Sequence, residues 1–96
     1  MHTVIETAAF LADADEAGLS DDDRRAVVDA ISADPKTGDL MAGTGGARKL
    51  RFAYPGKGKR GSYRTVHYYG GGDVPVFMLA VIKKGDRDNL SQAERK

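Results

Sequence analysis

Lysine and arginine are concentrated in one stretch of this 96-residue chain, between Leu40 and Gly72, where no acidic residue occurs. Seven cations lie there: Arg48, Lys49, Arg51, Lys57, Lys59, Arg60 and Arg64. Five aromatic residues are interleaved with them: Phe52, Tyr54, Tyr63, Tyr68 and Tyr69. Proteins bind nucleic acid with cations that contact phosphates and with aromatic rings that stack on unpaired bases. The stretch therefore predicts a nucleic-acid-binding surface.

Two predicted strands would bring part of this charge together. Apolar and cationic residues alternate from 49 to 52, and residues 62–69 have the β-branched and aromatic content of a second strand, so the two form a basic hairpin. Lys49 and Arg51 are two residues apart and project from one sheet face, with Arg64 on the neighbouring strand. Such a cluster repels itself unless an anion neutralises it. We therefore favour nucleic-acid binding over a solvated edge that only resists aggregation.

Other chemistries find less support in the sequence. His67 shares a strand face with Tyr63 and Thr65, which favours a structural histidine over a catalytic base. The chain has no cysteine and two histidines, so we predict no metal site and no cofactor. Glycines 43, 45 and 46 lack the spacing of a phosphate loop and lead into a strand, which excludes a nucleotide triphosphatase.

The first forty residues predict the elements that hold the hairpin. A β-prone opening at 2–5 precedes an Ala-rich helical pattern over 8–17. A second helix runs from the N-cap Ser20 to the helix breaker Pro35, with acidic residues in its first turn. Residues 1–40 carry three Lys and Arg against ten Asp and Glu, a net charge of −7, whereas the rest carries twelve against four, +8. The chain is thus nearly neutral overall, but its acidic first part and basic second part carry strong opposite charges.

The second half completes the predicted fold. Residues 74–82 are apolar on both faces, as in a central strand covered on both sides, and the capping box Ser91–Glu94 indicates a helix cut short by the chain's end. We expect one α+β domain over residues 1–96, an antiparallel-rich twisted sheet in the order β-α-α-β-β-β with two N-terminal helices on one face and a short C-terminal helix start. No signal sequence or roughly 20-residue apolar run occurs, so we expect a cytoplasmic protein with no membrane partner.

Three segments carry a resemblance to a known family: GTGGARKLRF at 43–52, GKGKRGSYRTVHYY at 56–69 and FMLAVIKK at 77–84, followed by DNLS at 88–91. They resemble the HigB branch of the RelE/ParE toxin superfamily, and the resemblance covers nearly the whole chain. It implies a RelE-like fold and a toxin of a bacterial type II toxin–antitoxin system. Such a toxin inhibits translation as a ribosome-dependent mRNA interferase, and its partners are a cognate antitoxin and mRNA on the ribosome.

The resemblance also implies roles for particular cations. Arg64 corresponds to the arginine of the family's Tyr-Arg strand, and Lys49 and Arg51 to a cationic pair on the second strand. Lys84 lies near the family's cation after the last strand, and we expect these four to be catalytic. The remaining cations are expected to bind RNA: Arg48, Lys57, Lys59, Arg60 and Lys83.

This cation set suits an RNA cleavage that needs no metal ion. The substrate's own 2′-hydroxyl is the nucleophile, so the protein supplies orientation, proton transfer and charge stabilisation. A lysine could be the base if like-charged neighbours lower its pKa from the usual value of about 10.4. Two alternatives stay open, a ParE-like inhibitor of DNA gyrase and a non-catalytic nucleic-acid-binding domain.

Overall fold

The computed structural model describes residues 2–54 and 61–83, which form two helices and a five-stranded mixed sheet. In chain order the elements are β1 (Val4–Glu6), α1 (Ala8–Glu16), α2 (Asp21–Ala33), β2 (Asp39–Leu40), β3 (Ala47–Ala53), β4 (Ser62–Tyr68) and β5 (Val76–Lys83). The strand order is β1-β5-β4-β3-β2. β1 runs parallel to β5, and the other three pairs are antiparallel. The predicted α+β, antiparallel-rich sheet is confirmed.

Both predicted helices form, and side chains fix where each begins. The Thr7 hydroxyl accepts a hydrogen bond from the Phe10 amide at 3.2 Å at the start of α1. At the start of α2, the Ser20 hydroxyl accepts from the Asp23 amide at 3.1 Å while the Asp23 carboxylate accepts from the Ser20 amide at 2.8 Å. This reciprocal capping box satisfies two amides that the helix itself leaves unpaired. Neither helix is long and apolar enough to cross a membrane.

The helices pack on one side of the sheet, which we call the helix face. Phe10, Val27 and Ile31 from the helices and Val76 and Met78 from β5 are fully buried there. The burial matches helical spacing on α1 and α2 and a two-residue period on β5. Apolar burial of this kind is the main stabilising term of a small domain.

Polar contacts join α1 to β5. The Thr7 hydroxyl donates to the Met78 carbonyl at 2.7 Å, and the Thr7 amide donates to the same oxygen at 3.3 Å. Beyond the point where β1 ends, the Asp13 carboxylate of α1 accepts a hydrogen bond from the Val81 amide at 3.1 Å. A carboxylate thus takes the place of a neighbouring strand at this part of the β5 edge.

The other side of the sheet, which we call the open face, is not covered by either helix. Strand alternation places on it side chains from β1, β3, β4 and β5: Ile5, Lys49, Arg51, Arg64, Val66, Tyr68, Phe77 and Ile82. A register shift between Val66 and His67 marks a bulge in the β4–β5 pairing opposite Leu79. The open face is therefore where a ligand can meet the sheet directly.

The sequence predictions are corrected at two points. The predicted order lacks β2, in which Asp39 and Leu40 pair with Lys49 and Arg48. β5 lies inside the sheet, between β1 and β4, but it is not covered on both faces within the described residues. Phe77 is 36% exposed and Leu79 is 37% exposed. The predicted C-terminal helix start lies outside the described residues, and so do residues 55–60, between the two strands of the predicted hairpin.

Candidate functional site

The cations of β3 and β4 meet on the open face. Arg51 lies directly opposite Arg64 in the β3–β4 register. Lys49 lies opposite Val66, two residues further along each strand and on the same face. Arg51 is exposed, and Lys49 and Arg64 are partly exposed. The pairing of β3 with β4 therefore confirms that these three residues lie close together. We call Lys49, Arg51 and Arg64 the cationic cluster.

Among the residues that the structure describes, the cationic cluster has no counter-charge. Within residues 2–54 and 61–83, no ion pair or hydrogen bond joins a side chain of this cluster to another residue. Arg24 on α2 differs, because its guanidinium lies 2.8 Å from Glu6 and 2.7 Å from Asp21. Like charges directly opposite in a sheet destabilise it. The cluster is thus a surface whose charge is best neutralised by a bound anion.

Arg48 lies on the other side of β3, on the helix face. Its guanidinium donates to the Lys36 carbonyl at 2.8 Å and to the Gly38 carbonyl at 3.3 Å. The sequence assigned Arg48 to RNA binding, and that role stays a prediction. Since neighbouring residues of a strand point to opposite faces, alternation alone separates it from the cationic cluster. Its observed role is to hold the loop between α2 and β2.

His67 holds the same loop from the adjacent strand. Its side chain is fully buried, and its Nε2 lies 3.0 Å from the Pro35 carbonyl, to which it donates as the neutral tautomer. Nδ1 has no partner among the described residues. Burial lowers the pKa of His67, the bond to Pro35 acts in the opposite direction, and the Arg48 charge lowers it further. A buried imidazole that faces the helices agrees with the predicted structural role.

The remaining predicted site residues are placed as follows. Lys83 is exposed at the end of β5 and pairs with Tyr63, whose ring is buried on the helix face. Alternation therefore turns Lys83 away from the cationic cluster, whereas Ile82 pairs with Arg64 on the open face. Four predicted cations lie outside the described residues: Lys57, Lys59, Arg60 and Lys84.

Sequence reasoning assigned no individual role to two aromatic residues of the open face. Tyr68 pairs with Phe77, and Phe77 pairs with Ile5, so the three form one row across β4, β5 and β1. The signal was present in the sequence, because Tyr68 alternates in phase with Arg64. For Phe77 the alternation was hidden, since every residue from 76 to 82 is apolar.

The arrangement can bind and stabilise a polyanion without a metal ion. Three cations close together can bind neighbouring phosphate oxygens and stabilise charge that develops on one of them. Among the described residues, no three histidine or carboxylate side chains are grouped to hold a metal ion.

The chain is similar to a known protein family and to a solved structure. A family model described as the RelE toxin of the RelE/RelB toxin–antitoxin system matches residues 2–96. A solved structure of the Escherichia coli toxin RelE, an arginine-to-alanine double mutant in the free state, is similar with a TM-score of 0.61. Its sequence identity is 16%, and the match covers 98% of this chain and 95% of that one. At this identity, the structural match supports the fold.

Proposed function

The chain belongs to the RelE toxin family, and from that premise we propose that it is a metal-independent endoribonuclease that cleaves mRNA on the ribosome. Membership makes it the toxin of a toxin–antitoxin system and gives it an antitoxin as partner. The ribosome and its bound message are the proposed target, and the cytoplasm is the proposed location. Assignment to the HigB branch stays a prediction.

One observation carries the proposal: Arg51 and Arg64 face each other beside Lys49, and no acidic residue in the described part of the chain pairs with them. In the proposed reaction the 2′-hydroxyl of the RNA attacks the adjacent phosphorus. A new O2′–P bond forms as the P–O5′ bond breaks, which yields a cyclic phosphate and a 5′-hydroxyl end. One proton leaves the 2′-oxygen and one is delivered to the departing 5′-oxygen.

We propose that the cationic cluster performs the electrostatic part of this reaction. Its side chains orient the scissile phosphate and stabilise the negative charge that develops on the non-bridging oxygens. Arg64 is central because it lies on β4 between Arg51 on β3 and the apolar β5. Lys84, outside the described residues, was predicted for the same site from the sequence.

Primer-extension mapping of a reporter mRNA in a purified translation system tests the proposal. Wild-type protein is expected to cut within ribosome-bound codons and to leave ribosome-free message intact. Removal of one charge-stabilising donor typically costs 10²–10³-fold in rate, so Arg64→Ala should lower cleavage by about that factor. Arg25→Ala is the matched control, because it removes an exposed arginine from α2, away from the open face.

The result that overturns the proposal is equally specific. Intact message with folded protein and active ribosomes would move the function to another target of this fold, with DNA gyrase tested next. Equal loss of cleavage in Arg64→Ala and Arg25→Ala would remove the cationic cluster from the reaction. Circular dichroism of each variant establishes that the fold is retained.

A further inference from the structure

Next to the cationic cluster, the open face carries two aromatic side chains that the proposed chemistry does not use. Phe77 is 36% exposed, and Tyr68, directly opposite on β4, is partly exposed. Neither ring stacks on another ring among residues 2–54 and 61–83. Exposed large aromatic side chains that lie together on a sheet mark a binding surface more often than isolated ones do.

The Tyr68 ring is bordered by two glycine backbones. A Cβ atom built at Gly46 would lie 3.1 Å from its Cε1, and one built at Gly70 would lie 3.4 Å from its Cε2 and from its hydroxyl. Glycine at both positions lets the backbone approach the two edges of the ring, which restricts its orientation. The Tyr68 hydroxyl makes no hydrogen bond within the described part of the chain. It is a donor and acceptor available to a ligand.

The aromatic row lies within one nucleotide of the cationic cluster. Tyr68 pairs with Ala47 on β3, and Lys49 is two residues further along the same face, opposite Val66. Diagonal neighbours of this kind are about 7–8 Å apart, which long side chains span. Lys49 and Tyr68 are therefore close enough to contact the phosphate and the base of one nucleotide. Val66 lies between Arg64 and Tyr68 on the open face of β4 and is only 8% exposed, so neighbouring side chains cover it.

We propose that Phe77 and Tyr68 form a nucleobase subsite for single-stranded RNA. An unstacked base packs on the Phe77 ring, its edge meets the Tyr68 hydroxyl, and the phosphate of the same nucleotide is bound by Lys49. Every base has a π-face that stacks on an aromatic ring, and the phenol hydroxyl can discriminate among base edges. The inference rests on the proposed function, since it assigns part of the substrate to the same face.

The positive charge next to Phe77 favours RNA over a protein segment as the ligand of this surface. An apolar segment of a protein partner would also cover Phe77, but it would bury the neighbouring cations without neutralising them. A nucleotide supplies an anion and an aromatic surface at once. Both features of the open face are then satisfied by one ligand.

Fluorescence anisotropy tests the subsite, with a labelled single-stranded RNA hexamer and a hexamer of the same length whose sugars carry no bases. Wild-type full-length protein is expected to bind the RNA more tightly than the abasic hexamer. Phe77→Ala should weaken RNA binding about 5- to 150-fold, the range for loss of one stacked base, and leave abasic binding unchanged. Leu79→Ala is the matched control, with 37% exposure on the same strand and no ring. Tyr68→Phe should alter only the ranking of base compositions.

The outcomes separate this inference from the proposed function. Equal affinity of wild type for RNA and abasic hexamer, or equal effects of Phe77→Ala and Leu79→Ala, would overturn the subsite while ribosome-dependent cleavage stands. Cleavage that is absent in a protein that still prefers RNA over the abasic hexamer would overturn the proposed function alone. Thermal unfolding of each variant shows that it is folded in the assay.

Discussion

Neutralising Arg51 should stabilise the protein, because Arg51 faces Arg64 and shares its strand face with Lys49. We expect Arg51→Gln to raise the free energy of unfolding and to lower cleavage at the same time. Gln keeps two of the three methylene groups of Arg and replaces the charged guanidinium with a neutral amide. The opposite signs of the two effects would identify Arg51 as a residue retained for function.

The magnitude follows from the strand geometry. Directly opposite side chains begin about 5 Å apart and residues two apart on a strand about 7 Å apart. With the dielectric constant of water for this exposed cluster and a screening length of about 10 Å at 0.1 M salt, the two repulsions sum to about 0.8 kcal/mol. At 1 M salt, where the screening length is about 3 Å, they sum to about 0.2 kcal/mol.

Urea unfolding at both salt concentrations measures this difference. With a denaturant slope of about 1 kcal/mol per molar, the midpoint of Arg51→Gln should rise by about 0.8 M at low salt. Arg48→Gln is the matched control on the neighbouring position of β3. It breaks the hydrogen bonds to the Lys36 and Gly38 carbonyls and should lower the midpoint at both salt concentrations.

The reasoning is refuted if Arg51→Gln is no more stable than wild type at low salt. It is equally refuted if the gain persists unchanged at 1 M salt, because a stabilisation that salt does not screen is not the relief of charge repulsion.

Two further predictions concern the loop that Arg48 and His67 hold. Burial lowers the pKa of His67 below its ordinary value of 6.5, so the folded protein keeps the ring neutral while the unfolded chain takes up a proton. The contribution of the neutral His67 to the free energy of unfolding should be fully present above pH 6.5 and should be lost as the pH falls from 6.5 toward the lowered pKa. Urea midpoints measured between pH 7 and 5 give this dependence, and His67→Gln should weaken it. Gly38→Ala should destabilise the protein by about 2 kcal/mol or more, because Gly38 has a φ of +95° and a Cβ there would lie 2.7 Å from the Lys49 carbonyl oxygen. Gly43→Ala, at φ +77° with nothing within 4 Å, should cost about 1 kcal/mol, and equal losses in the two variants would show that contact with β3 is unimportant.

The sequence predicts most of the fold wherever a periodic pattern is long enough. The capping residues Thr7 and Ser20 and the alternation around Lys49 and Arg51 are local signals, and each lies where the structure has it. β2 escapes because a two-residue strand has no period. The parallel pairing of β1 with β5 joins residues some 70 positions apart, and no local pattern encodes it.

Local periodic patterns also predict part of the candidate site. Strand alternation assembles Lys49, Arg51 and Arg64, because register in a hairpin follows from the side-chain period. It cannot show that the helices leave one face of β5 uncovered, since Phe77 and Met78 are both apolar and only packing distinguishes them. Exposure is a property of the assembled layers, and it was therefore predicted wrongly for Phe77.

The pairing of β1 with β5 also sets when this protein can become toxic during its own synthesis. Val4 pairs with Val76, and Phe10 packs in the same core cluster as Met78 and Val81, so the amino-terminal strand and first helix lack their partners until the end of β5 has been made. At about 5–20 residues per second, the 70 residues from Thr7 to Val76 take about 4–14 s to be translated. The nascent chain emerges from the ribosome with its acidic helices first and its cationic cluster incomplete. Synthesis from the amino terminus thus delays assembly of the toxin fold until β5 has emerged from the ribosome.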